Sequence, residues 1–562
     1  MKKILLSLAL TSTLFAFAQV GIGTTFPNGA LDVTSTTDGL LIPRVALTST
    51  ATATVVTPTT SELVYNTATA GDVTPGFYYW DGVKWVRFTT STTPNNSWLL
   101  LGNTGTTAST NFLGTTDNVA LNFRVNNIKA GRIGVTTDKS TFLGYEAGLN
   151  DDLTDNRNTF VGYQAGKANT TGSSNVALGY QTLQANTTGI YNTVIGREAL
   201  YNNIDGSRNA ANGYFSLYSN TSGSDNIAIG SSSLQGNTTG NSNIAIGLSS
   251  LVANTSGNDN IAIGQSALIS NTTANSNIAI GRESLKANTN GYSNIAVGYY
   301  ALLTNTDGIF NTAIGNNTLQ NNTTGTRNTA IGSGVLTENT TGQYNSGLGR
   351  YALNKNTTGS NNSGLGQESL RDNTTGNGNT GNGYGSLLIN TAGNNNVAIG
   401  RSALNNTTGS NNIGIGFNVT VPTAAGDNQI RIGDANITYA GVQVAWTITS
   451  DRRWKGEIQD SKLGLDFIKG IRAVQYTRNN DDSKKIEYGV IAQELEENLI
   501  KNGATNSYMI HKDDQGMYGV RYNDLMSPMI KSIQELSTEN TSLKLKVEDL
   551  ETRLKHLEEK LK

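Results

Sequence analysis

Asn260-Ile261-Ala262-Ile263-Gly264-Gln265-Ser266-Ala267-Leu268-Ile269-Ser270-Asn271-Thr272-Thr273 is one copy of a phrase that fills the middle of this 562-residue chain. Its glycine recurs every 17 residues from Gly162 to Gly400, in 14 equal steps. A 16-residue step then reaches Gly416, and an 18-residue step leads in from Gly144. A fixed period of this size marks a solenoid or fibre array and outranks any local secondary-structure assignment. Ile261 and Ile263 share one face of a short strand, with Ala262 opposite. Leu268 follows the glycine by four, with counterparts at Leu251, Leu285, Leu302 and Leu319. The isoleucine pair and the leucine give each repeat about three core side chains, too few to fold alone, so adjacent rungs must share a core.

Turns are written by Asn-Thr-Thr-Gly and its relatives, as at 186–189. Asn and Gly tolerate the positive φ angles that tight turns require. A second Asn opens nearly every strand, at 226, 243, 260, 277, 294 and 311. Rungs stacked in register would join these amides into hydrogen-bonded ladders. With a rung spacing of about 4.8 Å, about fifteen repeats would make a rod on the order of 70 Å. The period alone leaves open whether one chain builds each solenoid or three chains intertwine.

Composition agrees with a fibre rather than a globular enzyme. Glycine is 63 of 562 residues and proline only 7. Residues 451–562 carry 39 of the 82 Asp, Glu, Lys and Arg residues, a step that marks a domain boundary near position 450. A net charge of −2 gives no electrostatic case for nucleic acid. Lys2-Lys3, the apolar run Ile4 to Phe17 and Ala16-Phe17-Ala18 read as an export signal over residues 1–18. The predicted location is therefore secreted or cell-surface. No later stretch is long and apolar enough to cross a bilayer. With no cysteine, neither a lipid anchor on cysteine nor disulfides are available.

The acidic residues Asp205, Asp225, Asp259 and Asp307 do not recur in phase, which argues against calcium-binding repeats. His511 and His556 form no ligand cluster, so no metal or other cofactor is expected. Tyr180, Tyr214, Tyr299 and Tyr300 form no regular stripe for sugars, which favours a spacer over a glycan-binding face. Residues 19–135 are β-rich and irregular. Within them, Gly76 to Phe88 reads as a hairpin around Asp81-Gly82, and Phe77, Tyr79 and Trp85 suit a small cross-strand core better than a sugar platform. A Thr/Ser/Pro-rich stretch at 89–97 reads as a linker.

Near the C-terminal end, Thr449-Ser450-Asp451-Arg452-Arg453-Trp454-Lys455 is followed by Tyr488-Gly489-Val490-Ile491-Ala492-Gln493-Glu494-Leu495, then Val520-Arg521-Tyr522-Asn523-Asp524-Leu525. Beyond Tyr522 one heptad seam holds Met526, Ile533, Asn540, Val547, Leu554 and Leu561, the other Met529, Leu536, Leu543, Leu550 and Leu557. The heptads establish self-association and leave two versus three strands open. A serine needs a base to attack an amide, and a lysine whose pKa burial lowers can serve.

This order resembles the intramolecular chaperone auto-processing domain, a tail-fibre serine peptidase, at the end of phage endosialidase tailspikes. The resemblance implies a homotrimer and a single self-cleavage between Thr449 and Ser450. It makes Ser450 the nucleophile, Lys455 its base and Asp451 an orienting residue, with Gln493 and Glu494 as supporting positions on a helix predicted over about 489–499. The repeats are similar to the β-roll heads of trimeric autotransporter adhesins. The opening Val20-Gly21-Ile22-Gly23-Thr24-Thr25-Phe26-Pro27 looks like the start of exported fibre-like proteins of the Bacteroidetes.

The expected fold is therefore mainly β: a solenoid or β-roll over 136–435, a linker at 436–449, a small α/β chaperone domain at 450–525 and a coiled coil at 526–562. The expected function is an exported trimeric fibre or adhesin-like protein, with a surface glycan or cell-envelope target as the partner class. A surface scaffold with a non-cleaving trimerisation domain is one alternative. A tailspike-like glycan-degrading enzyme is another, disfavoured because the sparse Asp and Glu offer no paired-carboxylate site.

Overall fold

The computed structural model describes residues 20–26, 30–88, 106–107 and 112–562. The export signal, Pro27 and the stretch at 89–97 lie outside them. The chain divides into two compact units, with the boundary in sequence between Gly114 and Thr115. In the first, Val20–Ile22 pairs in parallel with Leu31–Val33. A four-stranded sheet then takes Arg44–Val45, Leu63–Asn66, Gly76–Trp80 and Trp85–Arg87 in that order. The expected hairpin is present, with Asp81 Oδ1 accepting from the Val83 and Lys84 amides. Its inner face differs from the expectation. Trp85 is buried, but it packs with Tyr78 and Trp80, while Phe77 lies exposed on the other side. The register sets Trp85 opposite Trp80, so strand alternation turns Phe77 and Tyr79 outward.

The second unit is a β-solenoid followed by a small α/β domain. The antiparallel strands Leu121–Val125 and Ile128–Ile133 cover the first rung, Thr141–Leu143. From there eighteen three-residue strands run in parallel, one per rung, to Ile430–Ile432. Partners fall in strict repeat register, as in Ile261↔Ile278, Ala262↔Ala279 and Ile263↔Ile280. A single chain builds every rung.

The expected core assignment is inverted. Ala262 is fully buried together with Leu268, whereas Ile261 and Ile263 sit on the outer face, only partly covered. The physical reason is lumen width. At the alanine position the largest residues enter where the leucine is lost. Phe142 and Phe160 occupy it in the first two rungs, where Gly148 and Gly166 replace the usual leucine. A Cβ on Gly166 would come within 2.5 Å of the Phe160 ring. Likewise Val335 is matched by Gly347, whose Cβ would lie 2.5 Å from Val335 Cγ1. At these places the lumen compensates volume, within a rung or between neighbouring rungs, rather than conserving residue type.

The strand-opening asparagines form the expected ladder. Asn260 donates its backbone N–H and its Nδ2 to Asn243 Oδ1, both at 3.1 Å, and Nδ2 also reaches the Ala274 carbonyl at 2.9 Å. The asparagine of Asn-Thr-Thr-Gly, expected as a turn former, builds a second buried ladder. Asn271 Nδ2 donates to Asn254 Oδ1 at 3.0 Å and to the Ala274 carbonyl at 3.1 Å. Its Oδ1 accepts from Asn288 at 3.1 Å. Positive φ falls elsewhere, at Ser266 and Leu268 in this rung and at their equivalents throughout. Left-handed leucine costs roughly 1–3 kcal/mol and persists only where the surroundings over-determine it. Here the amide of Leu268 donates to Ser284 O in the next rung, which fixes the corner.

The second ladder begins at Asp151, whose Oδ2 accepts from Asn158 and Asn169. It ends after Asn390, where the 16-residue step puts Thr407 in the asparagine position. Asn406 Oδ1 and Thr407 Oγ1 are buried there without a hydrogen-bond partner.

Candidate functional site

Past the last rung the chain runs exposed through residues 435–450 into a short 3₁₀ turn, Arg452–Trp454. Three helices follow: α1 (Leu465–Lys469), α2 (Ala492–Lys501) and α3 (Met526–Leu561). Phe467 of α1 and Leu495 and Leu499 of α2 form a core with Met509, beside the antiparallel pair Ala473–Tyr476 and Glu487–Val490. Residues 489–490, expected as helix, end this second strand, and the helix starts only at Ala492. α1 is held against α3 by Glu535, whose carboxylate caps the Leu465 amide at 2.6 Å. α3 leaves its heptad seam exposed, from Met526 to Leu561. Among the described residues nothing covers that seam.

The turn at 452–454 brings the two predicted reacting groups together. Lys455 Nζ lies 2.6 Å from Ser450 Oγ, as a donor to the hydroxyl. Asp451 makes this fold-back: its Oδ1 accepts from the Arg453 amide at 2.8 Å and caps the turn. The guanidinium of Arg453 pairs with the same carboxylate at 2.8 Å and holds it below the usual carboxylate range. Asp451 thus shapes the loop and does not touch the Ser–Lys pair. Ser450 and Lys455 open onto a cleft of about 900 Å³, walled by Ile448 on one side and by Arg521, Tyr522, Met526 and Ile530 at the head of α3 on the other.

Gln493 and Glu494 stand apart from this cleft on the first turn of α2. Glu494 is paired with Arg472, which lowers its pKa and ties α2 to the segment before Ala473. Among the described residues no hydrogen bond joins either of them to Ser450 or Lys455. Sequence reasoning missed the contribution of α3 to the cleft, because Met526 and Ile530 carried only a heptad signal.

The solenoid offers a column of rings at the position after the repeat glycine. Tyr145, Tyr163 and Tyr180 stack at 5.7 and 5.2 Å, and the Arg197 guanidinium lies between Tyr180 and Tyr214. The stack is local: Ser231, Leu248 and Gln265 take this position in later rungs, so no regular stripe runs along the array, as expected. Its ring faces are taken by one another, so a sugar would meet ring edges. Asp225, Glu283 and Asp372 are held below the usual carboxylate range by Arg208, Lys286 and Arg371 respectively, opposite to what a general acid needs. Among the described residues no group of three or more His, Asp or Glu could hold a metal ion, and no helix is long and apolar enough to cross a membrane.

Comparison with known families places two matches at the ends of this architecture. Residues 450–504 match the family described as chaperone of endosialidase, beginning at Ser450 itself. Residues 21–108 match the family described as phage tail like trimerisation region. No curated protein and no solved structure matches the chain. With a β-solenoid body between a trimerisation region and an endosialidase chaperone domain, the chain is a homotrimeric structural protein of the tail-fibre kind.

Proposed function

We propose that this chain is an exported fibre whose C-terminal domain drives trimer assembly and then cuts itself off between Thr449 and Ser450. The observation that carries the reading is the 2.6 Å contact between Lys455 Nζ and Ser450 Oγ at the first residue of the chaperone match. In the reaction, neutral Lys455 takes the Ser450 hydroxyl proton while Oγ adds to the Thr449 carbonyl carbon through a five-membered ring. The proton passes to the Ser450 nitrogen, the C–N bond breaks, and an ester joins Thr449 to Ser450 Oγ. Water then hydrolyses the ester, leaving a Thr449 carboxylate and a free Ser450 amino group. No second substrate has to diffuse in, so alignment is the main requirement.

In the single chain both groups are exposed. Met526, a heptad core position, walls their cleft. Pairing of α3 helices buries that wall and dehydrates the lysine, the change that turns an ammonium into a base. Export is supported by Lys2-Lys3 and the apolar run behind it, together with a cysteine-free sequence. The outer face of the fibre is then the surface available to an envelope or glycan target.

Intact masses of the full chain and of Ser450→Ala test the cleavage. A fragment beginning at Ser450, absent from the variant, is the expected result. Uncut chains in both, in samples where trimers have formed, would reject cleavage and leave a permanently attached trimerisation domain.

A further inference from the structure

Each solenoid strand but the last, whose middle residue Arg431 is only partly covered, buries its middle residue and turns the two flanking residues outward. Stacked in register, these form two parallel columns along one face. The column that ends each strand is aliphatic at every rung from Leu143 to Ile432 except Asn212 and Asn382. The other holds isoleucine in five central rungs and in the last two, and Thr, Ser, Val or Ala in the rest. No charged residue occupies either column on any of the eighteen strands. Apart from Arg431 in the middle of the last strand, the Arg, Lys, Asp and Glu of the array sit outside the strands, for example Arg282, Glu283 and Lys286. Ile229, Ile280, Ile314 and Ile399 remain 37–42% exposed. A continuous uncharged apolar face of this length is rare on a solitary chain and marks a contact surface.

We infer that these two columns are the seam along which the solenoids of three copies of this chain pack side by side. The inference rests on the homotrimer reading and specifies which face closes it. The occupant follows from what flanks the array. A trimerisation region precedes it at residues 21–108, and the uncovered heptad seam of α3 follows it. Three identical arrays tied at both ends run parallel and at the same height, so each rung meets its own counterparts. The apolar face also continues past the last rung. Val442, Val444, Trp446 and Ile448 alternate along the exposed segment that leads to Ser450, and they link the solenoid columns to α3 along the chain. Equal rungs on equal rungs explain why the outward residues are kept uncharged while their identity drifts between Ile, Val, Leu and Thr. A partner of different sequence would impose no such uniformity over eighteen rungs.

The chain has no cysteine, so a single introduced thiol reports alone. Ile263→Cys places it on the seam, half-covered, without touching the Ala262–Leu268 core. Thr273→Cys places it on the exposed Asn-Thr-Thr turn of the same rung. Each full-length variant is treated with a short bismaleimide and resolved under denaturing conditions, alongside its native mass. Interchain linkage is expected for Ile263→Cys and its loss for Thr273→Cys. Native trimers in which Ile263→Cys links no better than Thr273→Cys would overturn the seam while leaving the homotrimer intact. A single-chain native mass would overturn the homotrimer and the seam with it. Should Ile263→Cys not fold, Ile229→Lys with Ile295→Lys provides a second reading. The seam predicts a wider solution-scattering cross-section at unchanged trimer mass, and an unchanged cross-section refutes it.

Discussion

Asn271 is fully buried in the middle of the second asparagine ladder, and its replacement tests whether that ladder holds the rungs together. Truncation to alanine removes three hydrogen bonds: to Asn254 Oδ1, to the Ala274 carbonyl and from Asn288. Asn288 keeps Gly291 O, and the Ala274 carbonyl keeps the Asn260 amide, so the lasting orphan is Asn254 Oδ1. At a net value of about 1 kcal/mol per bond the loss is about 3 kcal/mol. That corresponds to an increase of roughly a hundredfold in local opening, since each 1.4 kcal/mol is tenfold. Because rungs touch only their neighbours, the effect should stay local. Hydrogen exchange of amides between 254 and 288 is the assay, with the exposed neighbour Thr273→Ala as control. Asn271→Asp sharpens the test, because a carboxylate can accept but cannot donate. The chain itself uses aspartate only where the ladder starts, at Asp151, which needs no donor. Asn271→Asp should therefore be the more damaging variant at neutral pH and recover as the pH falls and protonation restores a donor. Protection within about 1 kcal/mol of the Thr273→Ala control, or no recovery of the aspartate in acid, would refute the ladder as the inter-rung tie.

Three further outcomes follow from the same structure. Phe160→Ala and Gly166→Leu should each destabilise the second rung, the first by about 3–5 kcal/mol. The double variant should recover most of the loss, because it recreates the Ala177–Leu183 pairing of the next rung; a double-mutant cycle without coupling rejects volume conservation. Thr407→Asn should raise stability near the last rungs by about 1 kcal/mol by extending the ladder from Asn390. Thr408→Asn, on the exposed turn, should not, and equal effects in denaturant melts would remove the ladder explanation. Burial lowers the pKa of Lys129, in the hairpin over the first rung, from 10.5 to about 8, against the opposing pull of Asp151. Below pH 8 the lysine is charged in both states and the burial penalty is full; above it the folded state releases its proton first. Wild type should thus gain stability relative to Lys129→Met between about pH 8 and 10.5, and a flat difference would contradict the burial.

The repeat told the fold class outright, because a 17-residue glycine period has few physical solutions. The strand-opening ladder was legible for the same reason: identical amides at one phase must meet when rungs stack. Which face of the strand points inward was not legible. Alternation shows that Ile261 and Ile263 share a face, and their hydrophobicity favours burial, but lumen width decides for Ala262. The Asn-Thr-Thr-Gly asparagine misled because its composition is that of a turn, while its buried amide works between rungs. The Ser450–Lys455 approach was readable from spacing and resemblance, and the turn that closes it needed only Asp451 as a cap. The wall supplied by α3 was hidden, since a heptad says which residues face a partner and nothing about which cleft they close.

The uniform register of the rungs bears on how such a gene changes over generations. Every internal rung presents the same hydrogen-bonding face above and below, so one repeat can be duplicated or deleted in frame without altering what the end pieces recognise. Near-identical coding units also favour the slippage that produces such events. Reach is then set by copy number, a quantity selection can adjust in single-rung increments while the assembly machinery at the C-terminal end stays unchanged. The one shortened repeat, with its two unpartnered polar atoms, records what happens when the increment is not a whole rung.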